Sequence, residues 1–162
     1  MTRVLSYQAV LATPLGRIGL RMAGEALSAL DYLPATTPEQ PPADAATAAV
    51  VAQLAAYFRD PQHRFSVPLA LSGTAFQQRV WAALQAIPPG TVLCYGELAQ
   101  QLGSAARAIG GACRGNPVPI LIPCHRVVSQ QGLGGYAGAV TGDPLAIKRW
   151  LLRHEGVIWP PA

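Results

Sequence analysis

The most informative stretch of this sequence spans residues 116–128 and consists of NPVPILIPCHRVV. Its apolar part, residues 118–122, predicts a strand that leads into Cys124, and His125 and Arg126 follow directly. A free thiol is only a few per cent ionised at neutral pH, so a nucleophilic cysteine needs a base or a positive charge beside it. His125 and Arg126 are the candidates for that role. The pair alone leaves the matter open, because a cysteine next to a histidine is more often structural than catalytic.

Upstream of this stretch, the pattern predicts two helices joined by a tight turn. Residues 97–102 and 104–114 have helical spacing, and Gly103 lies between them. Many proteins present the second helix of such a pair to DNA. Two ordinary packed helices give the same pattern, and on the pattern alone that interpretation is favoured.

The second of these helices consists mainly of alanine and glycine, with Arg107 and Arg114 as its only long polar side chains. Proteins that read base sequence bring several Asn, Gln or Arg side chains to the base edges, so this composition argues against sequence-specific recognition. Small residues suit close docking in the minor groove, which is only about 6 Å wide. The alternative is that they allow tight packing inside the protein.

Other helices of the second half have clear end signals. Thr74 and Gln77 form a capping box that opens a helix, and the prolines and glycine at residues 88–90 end it. A closing helix is predicted to begin after Asp143 as N-cap and to end at Gly156. Its spacing predicts that four residues face inward: Ile147, Trp150, Leu151 and Leu152.

The first half predicts an antiparallel sheet with one helix against it. Three strands separated by turns are expected: residues 4–12, 17–23 and 26–33. Apolar residues then recur at helical spacing over residues 46–58, and residues 65–71 are expected to be extended. Because a sheet and a helix can bury their own core, we expect two domains, residues 1–72 and residues 73–162.

The formal charge of +4 is concentrated in the second half of the chain. Residues 1–72 carry five Arg against five Asp and Glu, whereas residues 73–162 carry seven Lys and Arg against three acids. A positive half suits a polyanionic partner such as nucleic acid. The charge alone does not decide this, since many proteins that never bind nucleic acid have a similar surplus.

The cysteines and the lengths of the apolar runs indicate in which cellular compartment the protein is expected. Cys94, Cys113 and Cys124 form no Cys-x-x-Cys pair and there is no cluster of histidines, so we expect free thiols and no metal. We find no pattern of a secretion signal and no apolar run of about 18 residues. The chain is therefore expected to be a soluble, cytoplasmic protein.

Residues 116–128, together with RAIGG at 107–111 and WLLRHEG at 150–156, closely resemble the methylated-DNA protein-cysteine methyltransferases, the O6-alkylguanine-DNA alkyltransferase family. The resemblance covers about residues 72–156. It implies a direct-reversal DNA repair protein that flips O6-alkylguanine out of duplex DNA and transfers the alkyl group irreversibly to Cys124; O4-alkylthymine is a further candidate substrate. It also implies an α+β fold, with an N-terminal ribonuclease-H-like antiparallel sheet plus helix and a C-terminal winged helix-turn-helix-like domain that carries the acceptor cysteine.

The resemblance gives catalytic roles to five residues. Cys124 would be the acceptor, His125 would take its proton through a water molecule, and Glu155 would orient and charge-stabilise that histidine. Asn116 would hold the turn between the second helix and the active-site strand, and Tyr95 would donate to N3 of the base so that guanine can leave. No cofactor is implied, because the damaged DNA is the alkyl donor and the methyltransferase reaction is a single turnover.

The resemblance also implies contacts to substrate and DNA. Tyr95 would bind the base, the backbone carbonyls of Cys124 and Val127 would recognise the exocyclic amine, and the amide of Ala137 would approach O6. Arg107 would fill the space that the flipped nucleotide leaves. The further DNA-binding candidates are Ala106, Arg114, Gln77, Gly96 and Gln130. The expected partner is double-stranded DNA containing O6-alkylguanine, bound through the minor groove without strong sequence preference by a protein that is monomeric and binds no membrane.

Two other functions stay open. A lesion-binding module would flip O6-alkylguanine without repairing it, as alkyltransferase-like proteins do, but those lack the acceptor cysteine that this chain has. A cysteine hydrolase would use Cys124 with His125, but neighbours in sequence rarely make the contact that such a dyad needs. The chain also departs from the family pattern: the turn before Ala105 is two residues shorter, the loop around residues 140–144 is about five longer, and Ala137 replaces a serine of some members.

Overall fold

The computed structural model describes residues 6–136 and 144–161 and has a mixed α/β fold. The first half contains an antiparallel sheet whose three strands follow one another in chain order: β1 (Ala9–Thr13), β2 (Gly16–Ala23) and β3 (Ala26–Leu33). The predicted meander is confirmed. Its first strand begins at Ala9 and not at residue 4, which lies outside the described part of the chain.

One helix packs against this sheet, as predicted. Helix α1 (Ala45–Arg59) begins after Asp44, whose carboxylate accepts a hydrogen bond from the Thr47 amide at 2.8 Å. Its buried face includes Leu54 and Tyr57, both with no exposed surface. This places the far end of α1, with Tyr57, inside the core of the molecule.

The second half consists mainly of helices. Its elements are α2 (Ala75–Gln85), β4 (Leu93–Cys94), α3 (Tyr95–Leu102), α4 (Ala106–Arg114), a 3-10 helix (Cys124–Arg126), β5 (Val127–Val128) and α5 (Pro144–His154). The Thr74–Gln77 capping box is confirmed, and Gly103 takes the left-handed conformation that the turn between α3 and α4 needs. The predicted N-cap Asp143 lies outside the described residues. Within the described ranges, every helix is too short or too polar to cross a membrane.

The apolar run 118–122 forms a tight turn and not the predicted strand. The Ile122 amide donates to the Val118 carbonyl at 3.0 Å, and Ile120 has a left-handed φ of 77°. Asn116 closes the turn from both ends: its Nδ2 donates to the Ile122 carbonyl at 2.8 Å, and its Oδ1 accepts from the Val118 amide at 2.9 Å. The strand prediction is wrong because three prolines in and beside the run have no N–H for a ladder.

Buried apolar residues of both halves belong to one hydrophobic cluster. Polar contacts also join the halves. The Leu30 amide of β3 donates to the Pro117 carbonyl at 3.0 Å, and the Tyr57 hydroxyl of α1 donates to the Glu155 carboxylate at 2.6 Å. The sheet and α1 therefore pack directly against the elements that surround Cys124.

Candidate active site

Cys124 lines a cavity of about 510 Å³, a volume in the range of small-molecule sites. The residue is the first of the 3-10 helix and is only 3% exposed. The cavity is lined by residues of α3, α4, the 3-10 helix and the end of the first described range: Tyr95, Ala106, Arg107, Gly110, Cys113, Arg114, Cys124, Gly135 and Tyr136. The thiol therefore faces a space that can admit a small cyclic group.

The environment of the thiol keeps it protonated. Burial raises the pKa of Cys124 above its ordinary value, whereas the nearby Asn116 amide and Lys148 ammonium act in the opposite direction. Since the pKa stays raised, the thiol carries its proton at neutral pH. A nucleophilic reaction at this sulfur therefore needs a base.

His125 has the properties of a neutral base. The residue is fully buried, and its Nε2 lies 2.8 Å from Oε2 of Glu155. Burial lowers the pKa of the imidazole, although the hydrogen bond and charge of Glu155 act in the opposite direction. A neutral ring that faces a carboxylate carries its proton on Nε2 and its lone pair on Nδ1. That Nδ1 is buried and has no hydrogen-bond partner within the described residues, so it can accept a proton.

The Glu155 carboxylate is fixed by donors from three residues. Besides His125, Arg126 donates from Nε to Oε1 at 2.9 Å and from Nη2 to Oε2 at 3.0 Å. Tyr57 donates its hydroxyl to Oε2 at 2.6 Å. Burial alone would raise the pKa of Glu155, but the hydrogen bonds from His125 and Arg126 hold it well below its usual range. Glu155 is therefore an ionised group that fixes the His125 ring.

Arg126, a sequence candidate for activating the thiol, is a partner of Glu155. Its remaining terminal nitrogen, Nη1, donates to the Ile87 carbonyl at 2.6 Å, and the residue is 7% exposed. The guanidinium is thus engaged by a carboxylate and a backbone carbonyl. Of the two candidates that follow Cys124, His125 and Arg126, only His125 has a buried side-chain nitrogen without a hydrogen-bond partner among the described residues.

Lys148 is a buried cation that the sequence patterns did not single out. Its ammonium has no exposed surface and donates to the carbonyls of Val127 at 2.6 Å and Gly135 at 2.9 Å. It also lies 5.6 Å from the centre of the Tyr95 ring. Burial lowers the pKa of Lys148 to about 8, against the opposing influence of the two cavity cysteines. Helical spacing puts Lys148 on the inward face of α5, a signal that its charge concealed.

Two tyrosines form part of the cavity wall. The Tyr95 hydroxyl donates to the Gly135 carbonyl at 3.4 Å. Burial raises the pKa of Tyr95 to about 12, and the cavity cysteines act in the same direction, so at neutral pH its hydroxyl is a proton donor. The Tyr136 hydroxyl shares a 2.6 Å hydrogen bond with that of Tyr32 in β3. A residue of the first half therefore braces the wall beside the thiol.

The structure brings together half of the DNA-binding candidates. Three of them are exposed residues of α4 that line the cavity: Ala106, Arg107 and Arg114. Gly96 on α3 and Gln130 after β5 are exposed but do not line it. Gln77 is engaged elsewhere, since its Oε1 accepts the Thr74 amide of the capping box at 2.9 Å. The two arginines of α4 are therefore exposed cations of the cavity lining.

The candidates for substrate contact divide in the same way. Tyr95 and Cys124 line the cavity, whereas Val127 is fully buried and its carbonyl accepts the hydrogen bond from Lys148. Ala137 lies outside the described residues. The structure therefore gives the surroundings of Tyr95, Cys124 and Val127 but not those of Ala137.

These groups can carry out one kind of chemistry. A buried thiol and a phenol donor line one cavity, and the residue that follows the thiol is a neutral imidazole with a free lone pair, fixed by an ionised carboxylate. Such a set can deprotonate the thiol and direct it against an electrophile, while the phenol assists the leaving group. Within residues 6–136 and 144–161, no three His, Cys, Asp or Glu residues form a group that could hold a metal ion.

Relatives with similar sequences have a common name. Residues 75–157 match the family model described as 6-O-methylguanine DNA methyltransferase, DNA binding domain. A methylated-DNA–protein-cysteine methyltransferase of Shigella flexneri is 50% identical over 96 residues, 57% of this chain and 53% of that protein, so the chain spans about half the length of that relative. The protein of the same name from Mycobacterium bovis is 44% identical over 151 residues, 88% of each chain.

A solved structure agrees with the sequence relatives. The crystal structure of Mycobacterium tuberculosis OGT in complex with DNA is similar with a TM-score of 0.74, 40% sequence identity and coverage of 91% of each chain. The family model and the Mycobacterium bovis relative together cover the segment around Cys124 and most of the remaining chain. This chain therefore belongs to the family of the methylated-DNA–protein-cysteine methyltransferases.

Proposed function

We propose that this protein repairs DNA by direct reversal, taking the alkyl group of O6-alkylguanine onto Cys124 in a single turnover. The observation that carries the proposal is the free, buried Nδ1 of a neutral His125, next in sequence to a thiol that lines a cavity. Glu155 fixes the other side of the same ring. Family membership supports the same reaction, and O4-alkylthymine is a second candidate substrate.

The reaction starts with ionisation of the thiol. The Cys124 proton passes through a water molecule to Nδ1 of His125, and Glu155 stabilises the imidazolium that forms. The thiolate then attacks the alkyl carbon: the S–C bond forms, the C–O6 bond breaks, and the electron pair stays on guanine. Lys148 favours the thiolate through its charge. The product is a stable thioether, and the proposed proton transfer uses these residues and a water molecule, without a cofactor.

Departure of guanine is assisted from the opposite wall of the cavity. Tyr95 donates its hydroxyl to N3 of the base, which lowers the charge of the leaving group. The carbonyls of Cys124 and Val127 accept the exocyclic amine; Lys148 occupies one lone pair of the Val127 oxygen and leaves the second. Asn116 holds the turn that sets the position of Cys124. We further propose that the amide of Ala137, which lies outside the described residues, approaches O6.

Binding to DNA uses α3 and α4 as a helix-turn-helix unit. The small exposed residues of α4 approach the minor groove closely, and Arg107 fills the space left by the flipped nucleotide, whose extrusion costs a few kcal/mol. Arg114 contacts the phosphate backbone, and Gly96, Gln130 and Gln77 form the outer part of the interface. With few long polar side chains on α4, the binding has no strong sequence preference.

The proposed architecture follows the same family. Residues 1–72 form a ribonuclease-H-like domain, and residues 73–162 form a winged helix-turn-helix-like domain that carries Cys124. The antiparallel meander with α1 supports the first assignment, and the α3–α4 pair supports the second. We propose that the protein acts in the cytoplasm as a monomer on double-stranded DNA.

The test is transfer of label from a duplex oligonucleotide that contains radiolabelled O6-methylguanine. We expect one label per protein molecule, retained after denaturation and absent with Cys124→Ser. Label transfer that survives this substitution would refute the assignment of the acceptor. Tight lesion binding by the wild-type protein without transfer would favour a lesion-binding module instead.

A further inference from the structure

The donors that hold Glu155 come from both halves of the chain. His125 and Arg126 belong to the 3-10 helix, and Glu155 follows α5, so all three lie within the region that the family model matches, residues 75–157. Tyr57 lies in α1, outside that region. Among the described residues of the first half, Tyr57 is therefore the one that donates a hydrogen bond to the Glu155 carboxylate.

Packing contacts and a backbone hydrogen bond fix Tyr57 in a position where its hydroxyl donates to Oε2 of Glu155. The residue has no exposed surface, and its ring packs against Phe65 at 5.6 Å and His154 at 5.1 Å between centroids. The His154 Nε2 donates to the Tyr57 carbonyl at 2.7 Å, which ties the backbone of α1 to the end of α5. The hydroxyl lies 2.6 Å from Oε2 of Glu155. Side chain and backbone are thus both fixed relative to the carboxylate.

The Tyr57 hydroxyl contacts the carboxylate oxygen of Glu155 that faces His125. Oε2 of Glu155 accepts from Tyr57 and also from Nε2 of His125 at 2.8 Å and Nη2 of Arg126 at 3.0 Å. Burial raises the pKa of Tyr57 far above its usual range, and the charge of Glu155 adds to this, so the hydroxyl donates at every working pH. Loss of the Tyr57 hydroxyl would remove one donor from Oε2 of Glu155 and so make this oxygen, which lies beside His125, more basic.

We infer that Tyr57 is a positioning residue for alkyl transfer, because its hydroxyl holds the Glu155 oxygen against which His125 is oriented. The inference rests on the proposed function of Cys124. It gives the N-terminal half of the chain a part in orienting His125, the proposed base for the Cys124 thiol. The charged and titratable groups that face this set are Arg126 beside Glu155, Lys148 near His125, and Tyr32 and His154 near Tyr57.

The experiment compares Tyr57→Phe with Tyr7→Phe in the full chain. Tyr7 is a matched control in the same half, since its hydroxyl also donates to a carboxylate, that of Asp31 at 2.8 Å, and it does not line the cavity. We expect Tyr57→Phe to slow single-turnover methyl transfer about tenfold, the size of one lost hydrogen bond to a charged group, with unchanged final stoichiometry. The acid limb of its rate–pH profile shifts to higher pH, because the less shielded carboxylate raises the pKa of His125. Tyr7→Phe keeps the wild-type rate and profile.

A wild-type rate and profile for Tyr57→Phe would overturn the inference, and so would an equal loss in Tyr7→Phe. In a Glu155→Gln background, Tyr57→Phe should cost nothing more, since the hydroxyl acts through Glu155. NMR titration of the His125 ring in the free protein gives a readout that needs no DNA. A raised pKa of His125 in Tyr57→Phe supports the inference even if no alkyl group is transferred, and an unchanged one contradicts it.

Discussion

Positively charged side chains have different surroundings in the interior of the site and on the exposed face of α4. Arg126 and Lys148 are buried, and each is surrounded by acceptors: Glu155 and the Ile87 carbonyl for the arginine, two backbone carbonyls for the lysine. Arg107 and Arg114 are exposed and make no ion pair within the described residues. The buried cations are therefore held by acceptors inside the protein, whereas the exposed ones can contact a partner.

The largest effect should come from breaking the buried set. Glu155→Ala leaves the Arg126 guanidinium buried without its carboxylate, which costs about 3–5 kcal/mol of unfolding free energy. Urea denaturation measures this loss, with Glu25→Ala at an exposed turn as the control. A loss below about 1 kcal/mol would show that the charges of this set are solvated after all.

A smaller, pH-dependent effect should come from Lys148→Met. The pKa of Lys148 is about 8 in the folded protein and 10.5 as its ordinary value, so between these pH values the unfolded chain binds more protons and stability rises with pH. The burial penalty present at pH 7 is therefore absent above pH 10.5. We expect the wild-type protein to gain about 3 kcal/mol relative to Lys148→Met over this range, measured by urea denaturation. A difference that stays constant with pH would contradict the buried charge.

The smallest effect on stability should come from Arg114→Gln on α4. An exposed, unpaired side chain contributes less than about 0.5 kcal/mol to folding. Loss of one phosphate contact should instead reduce the slope of log K against log salt by about one. Fluorescence anisotropy with duplex DNA measures this, and Arg153→Gln, on an exposed part of α5 that does not line the Cys124 cavity, is the control. Equal slopes for both variants would remove Arg114 from the interface.

Features of the fold that depend on neighbouring residues could be predicted from the sequence. Local signals gave the meander, the capping box at Thr74 and the helix end at Gly156, because each depends on a few neighbouring residues. The apolar run before Cys124 was misassigned as a strand, since hydrophobicity alone does not reveal a turn closed by a distant side chain. The resemblance supplied the residues near the thiol.

Contacts between distant segments had no signal of this kind. Tyr57 was expected on the buried face of a helix, but nothing within its own helix indicates that a carboxylate 98 residues away accepts its hydroxyl. Lys148 lies at an inward helical position, but it was not included among the residues expected to face inward, because a lysine is almost never fully buried without partners. Its acceptors are backbone carbonyls, which have no residue type to recognise.

The central claim is that Cys124 itself becomes the alkylated residue. Mass spectrometry of the protein after incubation with excess O6-methylguanine duplex tests it most directly, because two cavity thiols, Cys113 and Cys124, can then be distinguished by peptide. We predict one added methyl group, located on the Cys124 peptide, in an amount equal to the guanine restored in the DNA. An unmodified Cys124 peptide after prolonged exposure, or a methyl group on Cys113 instead, would contradict the account.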